Sequence, residues 1–294
     1  MRQTMRSLLA AAALLGHATT LDAQASALPP VISAEWLAPQ LARPGVVVLH
    51  VGSDSSYRAA HIPGALRLDF ERVIVAPQQQ GGLRMELPSV DALQQGLRQL
   101  GVSQDSRIVL VFDAPARMLP TGRSFFTLEW AGLRGRVAVL DGGLPAWRAS
   151  QRPVASGTGR APIVGDVALA PDASRLAPRD SVRAAIADGA RALVDARNEA
   201  SFNAPDAGGS ATGGHIESAV SLPFSSVTDS EGRFKPREEI ERLLIATGVI
   251  PGERTVAYCN TGFQASWIYV ALRHIGRDVA LYDGSYEEWV RSAP

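Results

Sequence analysis

Thr255-Val256-Ala257-Tyr258-Cys259-Asn260-Thr261-Gly262-Phe263-Gln264-Ala265 runs from an apolar stretch through the only cysteine of 294 residues into a short polar loop. A periodic apolar stretch, Trp267 to Leu272, follows. The pattern predicts strand, tight loop, helix. A sulfur at the base of such a loop faces a helix N-terminus, where unpaired N–H groups and the dipole favour a thiolate or a bound oxyanion. A free cysteine is also commonly a small buried core residue. The position after Cys259 at which a cysteine phosphatase carries its phosphate-gripping arginine holds Ala265. The loop therefore offers no bidentate anion fork, only backbone N–H groups that can cradle a sulfur.

Around that loop the chain repeats itself. Val46-Val47-Val48-Leu49 is matched by Ala192-Leu193-Val194, and His61-Ile62-Pro63-Gly64-Ala65 by His215-Ile216-Glu217-Ser218-Ala219. Ile108 to Asp113 answers Thr255 to Cys259, which places Asp113 at the cysteine position of the first half. Val137 to Gly143 answers Val279 to Ser285, and Trp147 and Trp289 stand equally far beyond Asp141 and Asp283. Asp91–Leu100 and Pro236–Thr247 read as amphipathic helices stopped by Gly101 and Gly248. Continuous apolar strands between such helices predict an α/β fold of two tandem domains, each a mainly parallel sheet flanked by helices. Boundaries follow at 28–152 and 173–294, joined by a Pro/Gly/Ala/Ser-rich linker over 153–172, with a further surface loop over Asn203–Gly214.

Residues 1–27 read as a leader rather than fold. Arg2 and Arg6 precede the apolar run Leu8–Leu15, and small residues at Ala23-Gln24-Ala25 and Ala25-Ser26-Ala27 offer cleavage sites. That run is too short for a membrane anchor, so the expectation is an exported, periplasmic-type protein with no membrane segment in its mature form. Basic and acidic residues number 29 each, so no basic field calls for nucleic acid. One cysteine and five scattered histidines give no metal-ligand spacing, and no cofactor motif is evident.

Taken in order, these landmarks resemble the tandem-domain rhodanese family of thiosulfate and 3-mercaptopyruvate sulfurtransferases. The resemblance rests on His61 to Ala65, Asp141-Gly142-Gly143 with Trp147, and Asp195-Ala196-Arg197. It extends through Gly214-His215-Ile216, Pro223-Phe224, Gly232 to Lys235, the Cys259 loop, and Tyr282 to Ser285 with Trp289. It implies an inactive first domain and a catalytic second one. Cys259 is then the nucleophile that takes sulfane sulfur as a persulfide and passes it to cyanide or a thiol, including a protein thiol. A carrier module with little small-molecule turnover is the alternative.

The resemblance also sets the expected site. Asn260, Thr261, Gly262, Phe263, Gln264 and Ala265 line it. Thr261 donates its hydroxyl or caps the helix. Phe263 and Gln264 face either substrate or the other domain. Arg197 holds an anionic donor or forms an ion pair with Asp195 or Glu199. His61 reaches the site across the domain interface or orders its own turn. Thiosulfate-type loops carry basic residues after the cysteine, whereas Asn260 and Thr261 are neutral as in mercaptopyruvate-type loops. The chain also has Ser201 where the family usually has a second arginine, and His50-Val51-Gly52 where the first domain commonly has Asp-x-Arg.

Overall fold

A computed structural model describes residues 27–159, 161–189, 192–205 and 213–291. The leader, up to residue 26, and residues 206–212 of the expected surface loop lie outside the described residues. The first half builds a sheet in the order β1-β5-β4-β2-β3 from β1 (Val31–Ile32), β2 (Val46–Val51), β3 (Leu66–Arg67), β4 (Arg107–Phe112) and β5 (Val137–Leu140). The second half orders β6 (Ala192–Asp195), β7 (Val220–Ser221), β8 (Thr255–Tyr258) and β9 (Val279–Leu281) as β7-β6-β8-β9. Every pairing is parallel. A lone parallel bridge from Leu176 to Leu281 stands where β1 pairs with β5 in the first half.

Unbroken apolar strands such as Ile108–Phe112 require cover on both faces, and helices supply it. Val90–Gln99 starts on the Ser89 side chain, and Gly101 follows it at φ +73°. Arg237–Ala246 is followed by Gly248 at φ +98°. The linker is a strap on the first domain: Ala155 pairs with His61, Val167 N–H bonds to Val102, and Asp172 N–H to Trp130.

The two domains share one apolar cluster, in which Phe125, Phe126 and Leu128 lie with Trp267, Tyr269 and Leu272. The contact is the helix Met118–Leu128 against the helix Phe263–His274. A Cβ on Gly122 would lie 2.9 Å from the Trp267 ring and 3.1 Å from its Cα and N, so only glycine lets these backbones approach this closely. At the far end of the contact, buried Glu129 accepts hydrogen bonds from Tyr269 Oη at 2.9 Å and Arg273 Nε at 2.9 Å.

The strand register corrects one expectation. His50 pairs with Val111 and Leu110 with Val139, while Asp195 pairs with Tyr258 and Ala257 with Leu281. His50 and Asp195 also make the same bond, each carbonyl accepting from the leucine seven residues beyond its half's landmark histidine. The residue equivalent to Cys259 is therefore Phe112, and Asp113 falls opposite Asn260. A strand buried on both faces has no alternation to mark its register, so one residue of slip leaves no trace in the sequence. The Phe112 ring is fully buried, edge-on to Trp267 with centroids 6.3 Å apart.

Beside it lies His50, fully buried, its Nε2 3.9 Å from Asp113 Oδ2. Neither ring nitrogen has a hydrogen-bond partner among the described residues. Burial pushes this imidazole down to about 4, with Asp113 acting in the opposite direction. The unfolded chain, with its histidine at 6.5, then binds more protons than the folded one between those two values. Folding stability should fall as pH drops from 6.5 towards 4, by up to about 3 kcal/mol from this residue. Urea unfolding of His50→Gln and the parent protein at pH 7.5 and pH 5 tests this: the variant should show the smaller loss on acidification.

Candidate active site

β8 delivers Cys259 to the carboxyl end of the second sheet, the usual binding edge of an open α/β sheet. Two open cavities of about 670 and 630 Å³ sit instead at the amino ends of first-domain strands, and Cys259 lines neither. The loop turns on Gly262, whose φ of +74° suits glycine and which forms the N-cap of the helix Phe263–His274. The helix cap is thus Gly262 rather than Thr261. Backbone N–H groups of Ala265, Thr261 and Gln264 are directed at the Cys259 sulfur. The thiol is 1% exposed. Burial pushes it above the ordinary thiol range, and the three N–H groups oppose that shift.

The other side of the loop hangs on the helix Ser285–Arg291. Cys259 N–H donates to Ser285 Oγ at 3.3 Å, and Ser285 Oγ donates to the Tyr282 carbonyl at 2.8 Å. Tyr286 N–H bonds to the Cys259 carbonyl at 2.9 Å and Glu287 N–H to the Asn260 carbonyl at 3.0 Å. Ser285 holds φ +52°, a conformation costly for a residue with a Cβ; its hydroxyl is anchored there by the two bonds just named. The first half has Gly143 at this place, at φ +56°.

Arg197 lies under the loop and is 1% exposed. Its Nε sits 3.0 Å from both Asp195 oxygens, and Nη2 reaches Asp195 Oδ2 and the Gly214 carbonyl, each at 2.6 Å. Nη1 approaches Asn260 Oδ1 at 3.4 Å, and the guanidinium centre lies 4.4 Å from the Tyr286 ring centroid. Of the two partners named from sequence, the structure selects Asp195, and the arginine supports the loop from below. Asp195 is fully buried and also bonds Tyr258, whose hydroxyl accepts from Ile216 N–H at 3.1 Å.

Asn260, Thr261, Phe263 and Gln264 are half-buried on the outer side of the loop, while Gly262 and Ala265 are buried. Phe263 meets Phe70 of the first domain, with ring centroids 6.0 Å apart. His61 stacks on Tyr57 at 4.1 Å and donates from Nδ1 to the Tyr57 carbonyl at 2.7 Å. His215 does the same with Phe202, at 4.0 Å and 2.9 Å. The shared role of the two histidines is to close a helix and the turn after it, and the contacts of His61 are made within its own domain and the linker. Among the described residues no cluster of three or more His, Cys, Asp or Glu could hold a metal.

Ser285, Tyr286 and Glu287 were not singled out for the site from sequence. The signal available was the Asp-Gly-Ser block after β9, the strand next to β8, legible as a repeat landmark but silent about its proximity to Cys259.

Removing Arg197 leaves Asp195 buried and uncompensated beside the loop, a change that costs about 3–5 kcal/mol. Arg197→Ala should therefore melt well below the parent protein and alkylate more slowly at Cys259, with Arg197→Lys intermediate. Thermal melts and iodoacetamide rates check this. A variant with unchanged melting and only a raised KM for an anionic donor would place Arg197 against the donor instead.

The rhodanese-like domain family matches the chain twice, at residues 33–150 and 179–292. A protein of Pseudomonas aeruginosa named "Probable 3-mercaptopyruvate sulfurtransferase" is 34% identical over 271 residues, covering 88% of this chain and 94% of its own. The crystal structure of SseA from Escherichia coli, described under the rhodanese fold of 3-mercaptopyruvate sulfotransferases, superposes with a TM-score of 0.76 at 24% identity. That superposition covers 88% of this chain and 99% of SseA. Tum1 of Saccharomyces cerevisiae superposes with a TM-score of 0.75 at 20% identity, over 90% of this chain and 96% of its own. These matches join the doubled α/β architecture and the amide-cradled thiol at a strand end: the chain belongs to the rhodanese-like family, as a tandem-domain sulfurtransferase.

Proposed function

We propose that the sulfur donor is a singly charged mercapto acid of the 3-mercaptopyruvate type in preference to thiosulfate, and that Cys259 carries the sulfur as a persulfide. The observation behind this is the loop itself. The backbone N–H groups of Ala265, Thr261 and Gln264 favour a charged Cys259 sulfur, no residue from Asn260 to Ala265 is basic, and the nearby Arg197 is already paired with Asp195. Such a cradle stabilises one developing negative charge on sulfur, with no cation held ready for a dianionic donor. The Cys259 thiolate attacks the donor sulfur, and the carbon–sulfur bond breaks. Its electron pair passes to the enolate carbon, which takes up a proton and leaves as the keto acid. An acceptor thiolate, small or protein-borne, or cyanide then attacks the outer sulfur, and Cys259 departs as thiolate.

Intact mass after incubation with each donor tests the reading. Gain of one sulfur, about 32 Da, should be faster with 3-mercaptopyruvate than with thiosulfate and absent in Cys259→Ser. Equal or faster loading by thiosulfate would overturn the donor preference. Loading of the serine variant would overturn the mechanism.

The chain is further read as exported, with cleavage after Ala25 or Ala27. The Arg-flanked Leu/Ala run supports this. So does Leu28, which is buried and bonds through its N–H to Gly135, so that the folded domain can begin there. Peptide mapping of protein from its host should find no Met1-containing peptide.

A further inference from the structure

The domain without a thiol reaches the site with Phe70, Arg84 and, fully buried, Arg123. Arg123, on the helix Met118–Leu128, is fully buried and lies at the domain boundary. One of its nitrogens donates to Asp283 Oδ1 and another to the Met85 carbonyl. Asp283 follows β9 and stands two residues before Ser285, which receives the Cys259 N–H. Arg123 and Asp283 also wall the turn of the loop. A Cβ on Gly262 would lie 3.0 Å from Arg123 Nη1, from Asp283 Oδ1 and from the Asp283 carbonyl. A second strand of the same clasp runs from Glu287, which accepts from Arg84 Nε at 3.2 Å and from Arg291, while Arg291 holds the Gly81 carbonyl at 2.8 Å.

Asp283 thus places a carboxylate against Gly262, at the positive end of the helix whose N–H groups serve the sulfur. Alone, that charge, on a carboxylate 20% exposed beside a buried thiol, would oppose both a thiolate at Cys259 and an anionic donor approaching it. Arg123 neutralises it from the other domain. We propose that Arg123 is a positioning residue for sulfur transfer: it pairs Asp283 so that the Gly262 turn stays closed and the sulfur sees the helix N-terminus rather than a free carboxylate.

The inference rests on Cys259 being the sulfur carrier. It also makes sense of a two-domain chain with one thiol, since the first domain supplies charge balance to the second. Other charged or titratable groups around the loop are Asp195, Arg197 and Tyr258 below it, Tyr286, Glu287 and Glu288 on the helix Ser285–Arg291, and Arg84 and Arg291, which pair with Glu287. All of them stay unchanged in the variants that follow, so any shift belongs to the Arg123–Asp283 pair.

The test uses the full chain with Arg123→Ala, Arg123→Lys, Asp283→Asn and the double variant Arg123→Ala/Asp283→Asn. For each, the rate of Cys259 alkylation by iodoacetamide is followed against pH, sulfur loading is read by intact mass, and folding is checked by circular dichroism. Arg123→Ala should move the alkylation midpoint upward by about one pH unit, a roughly tenfold loss of rate at neutral pH. Arg123→Lys should restore most of it, and the double variant should return close to the parent. Asp283→Asn alone should move the midpoint downward, which keeps the inference testable if the alanine variant does not fold. A folded Arg123→Ala protein with the parental pH profile, or an Asp283→Asn protein with no downward shift, overturns the assignment. Sulfur loading of the parent chain stands apart as the control: if the parent fails to load, the carrier reading of Cys259 fails, whatever the profiles show.

Discussion

Everything in this molecule depends on two helices, one from each half, being allowed to touch backbone to backbone. Gly122 against Trp267 sets that distance, and Glu129 with Tyr269 and Arg273 fixes the far end. The helix from the second half is the same one whose N-terminus carries the sulfur loop. The contact that fuses the domains therefore also fixes the direction of the dipole at the thiol. Replacing a buried glycine at such an approach forces main chain apart, because neither backbone can yield as a side chain would.

The two halves clasp each other in a reciprocal way. Asp141 after β5 accepts from the Phe234 N–H of the second domain at 2.8 Å, and Asp283 after β9 accepts from Arg123 of the first. The same landmark aspartate thus faces the partner domain in each half, once to receive a main-chain donor and once to receive a guanidinium. Only the second case has a thiol behind it, and there the aspartate is held by a direct ion pair with a guanidinium of the other domain. Asp141 shows the contrast: burial raises it, with the Phe234 N–H and Arg233 acting against the shift.

Much of this was legible in the sequence because it depends on local pattern. The Cys259 loop, its glycine turn, the following helix and the doubled order of landmarks are all short-range features, and each lies where its pattern placed it. What the sequence concealed depends on contacts between distant segments. The register of β4 cannot be read from Ile108 to Phe112, since all five side chains are apolar and both faces are covered. Arg197 was ambiguous between donor and Asp195 because both uses need the same residue at the same strand end; the burial of the pair decides how it is held. Arg123 left no local signal at all, being one arginine in an apolar helix more than a hundred residues from Cys259.

Phe112 has a consequence for how the two halves could have diverged from a doubled ancestor. With Phe112 equivalent to Cys259, Pro115 stands at the place of Gly262. Proline fixes φ near −65° and has no N–H, whereas the sulfur-bearing turn is built on φ +74°. Restoring a thiol by Phe112→Cys would set it on a strand end that passes through Pro115–Arg117 into the helix Met118–Leu128 without the glycine turn, and beside the carboxylate of Asp113. The first half is held in its supporting role by several mutually dependent residues, so the route back is closed to any single substitution: the division of labour between the repeats behaves as a ratchet.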